Sequence, residues 1–307
     1  MFQFLKKKKT IITHNGSFHA DDIFACATLS LYLDRKKQPY TIIRTRDEEI
    51  ISSADYVIDV GGVYDSGLER YDHHQPGGAG KRTNGIPYAS FGLIWEKYGP
   101  LLCNNETIIE DIDRRIVQPI DAIDNGISIT EPSDTGLCDY GMYGIIGAYQ
   151  NTWKEAGEDS MQLSNFLYLV NFFKQLLSRE IDRSFHRLEM IDTIQEIYDT
   201  AENKVILEIP YHVTVSALIQ VLHKHKEVMF IVCRSNKNWK ALAMRKEACS
   251  FENRKSLPDA WAGKRGKELA EITGVSDALF CHNAVWMAVA ESKEGAWKLA
   301  ELALAEK

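Results

Sequence analysis

The protein has 307 residues, of which 45% are apolar and 26% are charged, which suits one or two globular domains and excludes a disordered or collagen-like chain. No apolar run approaches the roughly 20 residues of a membrane helix, and the N-terminal lysines precede no apolar segment, so we expect neither a membrane span nor a secretory signal. The net charge of −7 argues against a general nucleic-acid-binding protein, although a basic groove or a bound metal can reverse the field locally.

The cysteines indicate the compartment. Six of them occur without paired spacing: Cys26, Cys103, Cys138, Cys233, Cys249 and Cys281. This pattern predicts reduced, mostly buried thiols rather than disulfides or a structural zinc site, and therefore a cytoplasmic protein.

The first part of the chain alternates predicted strands with predicted helices. In chain order, the pattern predicts a strand at 10–13, a helix at 23–33, strands at 40–45 and 54–60, a short strand near 70–74, and helices at 88–98, 106–124 and 163–201. This order is typical of βαβ units on a mainly parallel, doubly wound sheet.

The order of predicted elements changes after the last of these helices. Strands are predicted at 204–209, 228–234 and 239–245, and helices at 266–273 and 295–305. We therefore expect an α/β protein with two domains, 1–190 and 191–307, the second smaller and built on a mixed sheet. The boundary falls within 185–203.

Histidines and aspartates form four clusters at predicted strand or helix ends. They are His14 to Asp22 (HNGSFHADD), Asp59 before two glycines, Asp72-His73-His74, and Asp121 to Asp124. Ligands of open α/β sheets bind at the carboxyl ends of the strands, where the first three clusters would converge. Imidazole and carboxylate together suit Mn²⁺, Fe²⁺, Co²⁺ or Zn²⁺ better than Mg²⁺.

Asp59 is the natural ligand to bridge two cations. A buried strand end would hold it rigidly, and Gly61 and Gly62 would leave its approach open. Two metals about 4 Å apart could clamp the oxygens of a phosphoester and lower the pKa of a bound water. The sequence therefore predicts a two-metal phosphoesterase site.

Each cluster also has a structural interpretation. A single histidine beside a turn is usually a satisfied loop residue. Asp21 and Asp22 could cap a helix, and Asp121 and Asp124 could form a solvated helix face. These interpretations would require four coincidences, so we favour the metal site.

The quoted motifs resemble the melanocyte-proliferating-gene (Myg) family, a branch of the DHH-type metal-dependent phosphoesterases. The resemblance extends to the Ser250 to Pro258 stretch, to Trp261 to Arg265 and to the segment beginning at Glu294, and so spans nearly the whole chain. It implies a DHH-type catalytic domain, a smaller substrate-binding domain, and Mn²⁺-type hydrolysis of phosphodiesters, with 3′–5′ exoribonuclease activity in the family. The expected cofactors are two divalent cations, Mn²⁺ first, with Co²⁺, Fe²⁺ or Zn²⁺ as alternatives.

The resemblance also implies roles for individual residues. One metal would take His14, His19 and Asp59; the other would take Asp21, Asp59, His73 and Asp121. His74 would act at the scissile phosphate, with Asp72 and Asp124 supporting the ligands from behind.

In the second domain, Arg254, Lys255, Arg265 and His282 are candidates for binding substrate. The three cations could equally be ordinary surface residues, and His282 could be structural. The chain also has Ala284 to Glu291 where relatives tend to carry a glycine pair, so its side chains would narrow the approach of phosphate.

The sequence therefore predicts a metal-dependent hydrolase that acts on RNA or a short oligonucleotide. It is compatible with a homo-oligomer. Two alternatives stay open. One is a hydrolase of pyrophosphate or a dinucleotide, which the acidic charge favours; the other is a metal-binding module without catalysis.

Overall fold

A computed structural model of the protein describes residues 6–130, 140–157, 159–247, 250 and 252–306. Cys138 and Cys249 lie outside the described residues, whereas Cys26, Cys103, Cys233 and Cys281 are buried free thiols. The fold is mixed α/β, with two compact units, Met1–Ser184 and Phe185–Lys307.

Unit 1 contains a five-stranded sheet with the order β2-β1-β3-β5-β4. Its strands are β1 Lys9–Thr13, β2 Tyr40–Arg44, β3 Tyr56–Ile58, β4 Tyr64–Asp65 and β5 Arg70–Tyr71. Neighbouring strands β2, β1, β3 and β5 run parallel, and only β4 is antiparallel to its neighbour. The carboxyl ends of the four parallel strands therefore lie at one edge.

Helices complete unit 1. They are α1 Ala20–Arg35, α2 Glu48–Ser53, α3 Ser90–Cys103, α4 Glu106–Ile112, α5 Gln118–Asp124 and α6 Gly141–Ala148. Helix α1 is buried along almost its whole length, including Ile23, Phe24 and Leu29, as its nearly continuous apolar sequence predicts. Its close packing against α3 fixes the start of α3 beside the strand ends.

The structure differs from the predicted single helix over 106–124. A π-helical turn, Asp113–Val117, separates α4 from α5. Pro119 stands in the first turn of α5 and has no N–H to donate to an earlier carbonyl, so a regular α-helix could not pass through this point unbroken. The wider turn brings Asp121 and Asp124 to the site.

The long helix α7, Asp159–Thr200, passes through the division between the two units. Unit 2 has a five-stranded sheet with the order β6-β7-β8-β10-β9. Its strands are β6 Ile206–Ile209, β7 Phe230–Ser235, β8 Asn238–Ala243, β9 Ala278–Cys281 and β10 Met287–Ala290. Strands β6 and β7 are parallel, and the other pairs are antiparallel, so this sheet is mixed.

The helices of unit 2 are α8 Val215–Leu222, α9 Gly266–Thr273 and α10 Lys293–Ala305. Two apolar clusters form the core of this unit, one including Phe230, Trp261 and Leu299 and the other including Ile209, Leu218 and Ile231. Half of the segment from Ala284 to Glu291 forms strand β10. Among the described residues, no helix is both long and apolar enough to cross a membrane.

Candidate metal centre

Three of the parallel strands lead directly into predicted site residues. His14 follows β1, Asp59 follows β3 and Asp72 follows β5. Because these strands are parallel neighbours, the three residues come together at one edge of the sheet. This edge carries the candidate metal centre.

Asp59 lies at the middle of the centre. Its backbone has φ +58°, in the left-handed region, and is held by a hydrogen bond from its N–H to the Tyr71 carbonyl, 3.0 Å. Backbone strain of this kind persists only where the surroundings enforce it, and it is common at functional sites. Burial would raise the pKa of the Asp59 carboxyl, but His14 and His73 outweigh burial and lower it.

His14 faces two carboxylates. Its Nε2 lies 3.2 Å from Asp22 Oδ2 and 3.3 Å from Asp59 Oδ2. Its Nδ1 lies 3.0 Å from the carbonyl oxygen of Asn15, to which it can only donate. Burial alone would lower the pKa of His14, but the carboxylates raise it to about 10. A backbone bond at Nδ1 that leaves Nε2 for a cation is the usual arrangement of a metal-binding histidine.

The two carboxylate oxygens of Asp22 have different neighbours, which the sequence could not distinguish. One oxygen accepts a hydrogen bond from the His19 N–H, 2.8 Å, and so caps α1. The other oxygen faces His14 and has no hydrogen-bond partner among the described residues. The sequence analysis gave Asp22 no metal-binding role; its signal was the adjacent aspartate pair.

A second group of possible ligands consists of Asp21, His73 and Asp124, whose ligand atoms all lie within 4.8 Å of one another. Both oxygens of the buried Asp21 carboxylate accept backbone hydrogen bonds at the start of α3, from Ser90 at 3.0 Å and Phe91 at 2.7 Å. Burial and then the Asp59 charge raise the pKa of Asp21 well above its usual value.

His73 connects this group with Asp59. Its Nε2 lies 3.1 Å from Asp124 Oδ2 and 3.4 Å from Asp59 Oδ1. Burial would lower the pKa of His73, but these carboxylates raise it to about 11. Asp59, Asp124 and Asp21 therefore surround the His73 imidazole with negative charge.

Asp121 differs from its predicted role as a ligand. Its Oδ2 receives a hydrogen bond from Arg82 Nη1 at 2.6 Å, and its Oδ1 receives one from the Gly92 N–H at 3.0 Å. Arg82 also pairs with Asp113 at 3.0 Å. Burial raises the pKa of Asp121 to about 7, against the opposing effect of Arg82. Asp121 already has a cation, whereas Asp124, three residues later, faces His73.

His19, also predicted as a ligand, is exposed at the start of α1, with its ring centroid 5.9 Å from that of His14. It lines the cleft but belongs to neither of the two ligand groups found among the described residues, which are Asp59 with His73 and His74, and Asp21 with His73 and Asp124.

His74 is the exposed member of the histidine pair, with 62% of its side chain accessible. Its Nδ1 is 2.8 Å from Asp72 Oδ1, and the other Asp72 oxygen accepts a hydrogen bond from the Gly62 N–H at 2.6 Å. Gly62 has φ +67°, which a residue with a side chain rarely adopts. Asp72 thus fixes the ring of His74, and no hydrogen bond from the described residues occupies its Nε2.

These residues fit a bound cation. Asp22 Oδ2 and His73 Nε2 are buried without a hydrogen-bond partner among the described residues. Each nevertheless has charged neighbours 3.1–3.4 Å away. Buried imidazole and carboxylate atoms this close need either a proton between them or a cation in its place. A mixed imidazole and carboxylate set suits Mn²⁺ and neighbouring transition metals.

A cleft of about 830 Å³ opens over the centre. Its wall includes His14, His19, Arg46, Asp59, Gly61, Gly62, Asp72, His74, Asp124, Tyr143 and Gln150. Helix α6, which the sequence analysis did not predict, contributes Tyr143 to this wall. The ligand groups are therefore open to a substrate from one side.

The predicted substrate-binding residues of unit 2 have varied surroundings. Arg254 differs most from its predicted role, because its five N–H groups donate to the carbonyls of Leu222, His223, His225, Val228 and Arg245. No donor of Arg254 remains for a phosphate. The residue closes the end of α8 instead.

The other three predicted residues have fewer partners. Lys255 Nζ donates to the Glu306 carbonyl at 2.5 Å, and the Arg265 guanidinium lies 4.5 Å from the centre of the Phe280 ring. His282 Nδ1 accepts a hydrogen bond from the Ala284 N–H at 3.0 Å. Their roles toward substrate stay predictions.

Comparison with known proteins identifies relatives along nearly the whole chain. The family model MYG1_exonuc, described as an uncharacterised protein family (UPF0160), matches residues 10–304. The MYG1 exonuclease of Mus musculus is 29% identical, covering 96% of this chain and 84% of the mouse protein. The MYG1 exonuclease of Homo sapiens is 28% identical over 96% and 85%, and the MYG1 protein of Saccharomyces cerevisiae is 28% identical over 98% and 97%.

Solved structures give a weaker likeness. RecJ from Thermus thermophilus, in complex with Mn²⁺, aligns with a TM-score of 0.30 and 12% identity, covering 97% of this chain and 52% of RecJ. An exonuclease RecJ bound to manganese gives 0.30 and 14%, covering 97% and 91%. A TM-score of 0.30 is too low to establish a shared fold.

Proposed function

We propose, from the premise that the chain belongs to the MYG1_exonuc (UPF0160) family, that it is a metal-dependent hydrolase of exonuclease type. Its substrate would be single-stranded RNA or a short oligonucleotide, degraded from the 3′ end with Mn²⁺ as the preferred metal. Unit 1 would be the DHH-type, doubly wound catalytic domain, and unit 2 would bind substrate. The names of the MYG1 exonuclease relatives support the reaction class.

The geometry suggests a modified set of ligands. Asp59 would bridge two cations, one held with His14 and Asp22 and the other with Asp21, His73 and Asp124. In this proposal Asp22 and Asp124 take the places of His19 and Asp121. Asp121 would instead fix the start of α3 and thereby the backbone N–H groups that orient Asp21.

Divalent cations held there would lower the pKa of a water molecule and stabilise negative charge on the phosphate. His74 would supply the proton for the departing oxygen from its free Nε2. Asp72, bound to the opposite ring nitrogen, would orient the ring. The backbone N–H of Gly62, bound to Asp72, would keep this pair at the cleft wall.

The observation that carries the proposal is the buried group around Asp59. Carboxylates of Asp21, Asp22 and Asp59 lie together almost without exposure, and the cleft opens above them. So many buried carboxylates are costly without bound cations.

The direct test combines elemental analysis of the purified protein with Mn²⁺-dependent assays on RNA, DNA and pyrophosphate. We expect RNA carrying a 5′ label to yield a ladder of shortening fragments and RNA carrying a 3′ label to release labelled mononucleotide first. Hydrolysis of pyrophosphate alone would replace this proposal with the small-molecule alternative. Bound metal without turnover of any substrate would indicate a non-catalytic module.

A substitution tests the role of Asp59. Asp59→Asn keeps the shape of the side chain and tolerates a positive φ, but it removes the bridging charge. We expect Mn²⁺-dependent hydrolysis to fall by more than about 100-fold, with the circular dichroism spectrum unchanged. Asp65→Asn, at an exposed position of strand β4, is the matched control. Full activity of a folded Asp59→Asn protein would contradict the proposal.

A further inference from the structure

We infer that Arg46 is a substrate-positioning residue that holds the phosphate next to the scissile one. The inference rests on the proposed function, because it assigns a role in binding the same nucleic-acid strand. It begins from the fourth parallel strand of unit 1, β2, which carries none of the predicted ligands.

Arg46 comes two residues after β2 ends, at the sheet edge that carries the metal centre. Its backbone is fixed from both sides. The N–H of Thr45 donates to the Thr13 carbonyl at 2.8 Å, which continues the β1–β2 pairing. Asp47 caps α2 by accepting hydrogen bonds from Glu49 and Ile50 at 2.9 and 3.1 Å. An arginine presented from such a backbone loses less entropy on binding.

The side chain of Arg46 is available for a ligand. It is exposed, it lines the cleft, and it is the one lysine or arginine among the cleft-lining residues within the described part of the chain. No carboxylate of the described residues lies within 4.0 Å of its guanidinium, and no hydrogen bond occupies its donors there. The donors of this exposed arginine are therefore in water on the wall of an acidic cleft, where they can bind an anion with charge-assisted hydrogen bonds.

Neighbouring Arg44 shows the contrast. It is partly buried, its Nη2 donates to the Gly16 carbonyl at 2.8 Å, and its guanidinium lies 4.6 Å from the centre of the Phe166 ring. The fold therefore engages part of Arg44, while its Nε is buried without a hydrogen-bond partner among the described residues. Of the two arginines in this stretch, Arg46 is the exposed one that lines the cleft.

The position of Arg46 indicates which phosphate it contacts. The Arg46 guanidinium lines the same cleft as Asp59 and Asp124 but, within the described part of the chain, forms no ion pair with either carboxylate. A strand with its scissile phosphate at His74 would extend its next phosphate along the cleft wall. Arg46 would bind that phosphate with its planar, two-pronged donor group.

The test compares two substrates, a short single-stranded RNA and bis(p-nitrophenyl) phosphate, which has a single phosphate. We expect Arg46→Ala to lower kcat/KM on the RNA about ten- to hundredfold, mainly through KM. The loss on the single-phosphate substrate is expected to be clearly smaller. Arg46→Lys should recover part of the loss, because a lysine keeps the charge but not the fork.

Arg114→Ala is the matched control, since it removes the same charge from an exposed position that does not line the cleft. It should leave both rates unchanged. Equal losses on both substrates with Arg46→Ala, or no loss on RNA, would overturn the inference.

A binding measurement separates this inference from the proposed function. Fluorescence anisotropy with labelled RNA and Asp59→Asn protein gives the affinity without cleavage. Adding Arg46→Ala to this protein should make the negative slope of log affinity against log salt shallower by about 0.7, the value for one phosphate contact on a single strand. An unchanged slope would overturn the inference even if wild-type protein hydrolyses RNA. If wild-type protein hydrolyses no phosphodiester, the proposed function fails while the slope still tests Arg46.

Discussion

At the scale of single residues, three acidic side chains of the candidate centre satisfy backbone N–H groups as well as lying beside histidines or other carboxylates of the site. Asp21 accepts two N–H groups of α3, Asp22 accepts one at the start of α1, and Asp72 accepts that of Gly62. The alternative of helix capping and the prediction of metal binding are therefore compatible. A carboxylate has enough lone pairs for both partners.

Metal binding is expected to tighten as the pH rises. In the metal-free protein, neighbouring carboxylates outweigh burial and hold the pKa of His14 at about 10 and of His73 at about 11. Both side chains are therefore positively charged imidazolium ions at neutral pH, and a cation has to displace the additional proton from each ring. Each displaced proton raises the apparent affinity about tenfold per pH unit below these values.

Calorimetric titration with Mn²⁺ between about pH 6 and 8, in buffers of different ionisation enthalpy, measures both the affinity and the protons released. His223→Ala, at an exposed position beyond α8, serves as the control. An affinity that does not change with pH would show that neither imidazole is protonated or that neither binds the metal.

At the scale of elements, the start of α3 is the support of the centre. Its first three N–H groups, from Ser90, Phe91 and Gly92, are bound by the carboxylates of Asp21 and Asp121. The positive end of the helix dipole stabilises these charges. Any shift of α3 would therefore move ligands that come from α1 and α5.

Gly92→Ala tests this support. A β-carbon at position 92 would overlap Asp121 Oδ2 and approach Arg82 Nη2 to 2.9 Å. We expect a loss of about 1–3 kcal/mol in the free energy of unfolding, as for overpacked buried sites. Gly147→Ala in α6 is the control, because its β-carbon would meet nothing within 4 Å; it should stabilise slightly. Urea denaturation measures both, and equal stabilities would contradict this account of α3.

The end of α8 is a second element with a long-range support. Arg254→Met would remove five hydrogen bonds to carbonyls of this region. We expect the free energy of unfolding to fall by about 3 kcal/mol, less than the sum of the bonds because freed carbonyls regain water. Lys255→Met loses one such bond and should cost far less. A mild effect of Arg254→Met would return Arg254 to the candidates for substrate binding.

At the scale of the whole molecule, bound metal should add to stability. A ligand that binds only the folded chain at 100 times its dissociation constant contributes about 2.7 kcal/mol. We therefore expect Mn²⁺ to raise the melting temperature and EDTA to reverse the change. Asp59→Asn should lose most of the increase, whereas Asp65→Asn should keep it. An equal increase in both variants would place the metal elsewhere.

The amino-acid sequence was enough to predict the family, which the comparisons confirm, and the α/β class with its alternating elements. Both rest on information local in the chain: strand and helix periodicities, and motifs such as HNGSFHADD that are read within a few residues. The convergence of clusters also followed from local signals, since parallel strands end at one edge. Glycines typical of loops, such as Gly61 and Gly62, indicated where a strand ends.

Which candidate side chains are free to bind a ligand depends on the three-dimensional packing. Asp121 pairs with Arg82, 39 residues away, and Arg254 binds carbonyls about 30 residues earlier, so partners distant in sequence occupy both. Asp22 and Asp124 instead have carboxylate oxygens that face the histidines of the centre, and Arg46 lines its cleft. No arginine from a distant part of the described chain pairs with these two carboxylates. Donors and acceptors that could bind a ligand also bind each other, and which pairing forms depends on packing that no local pattern records.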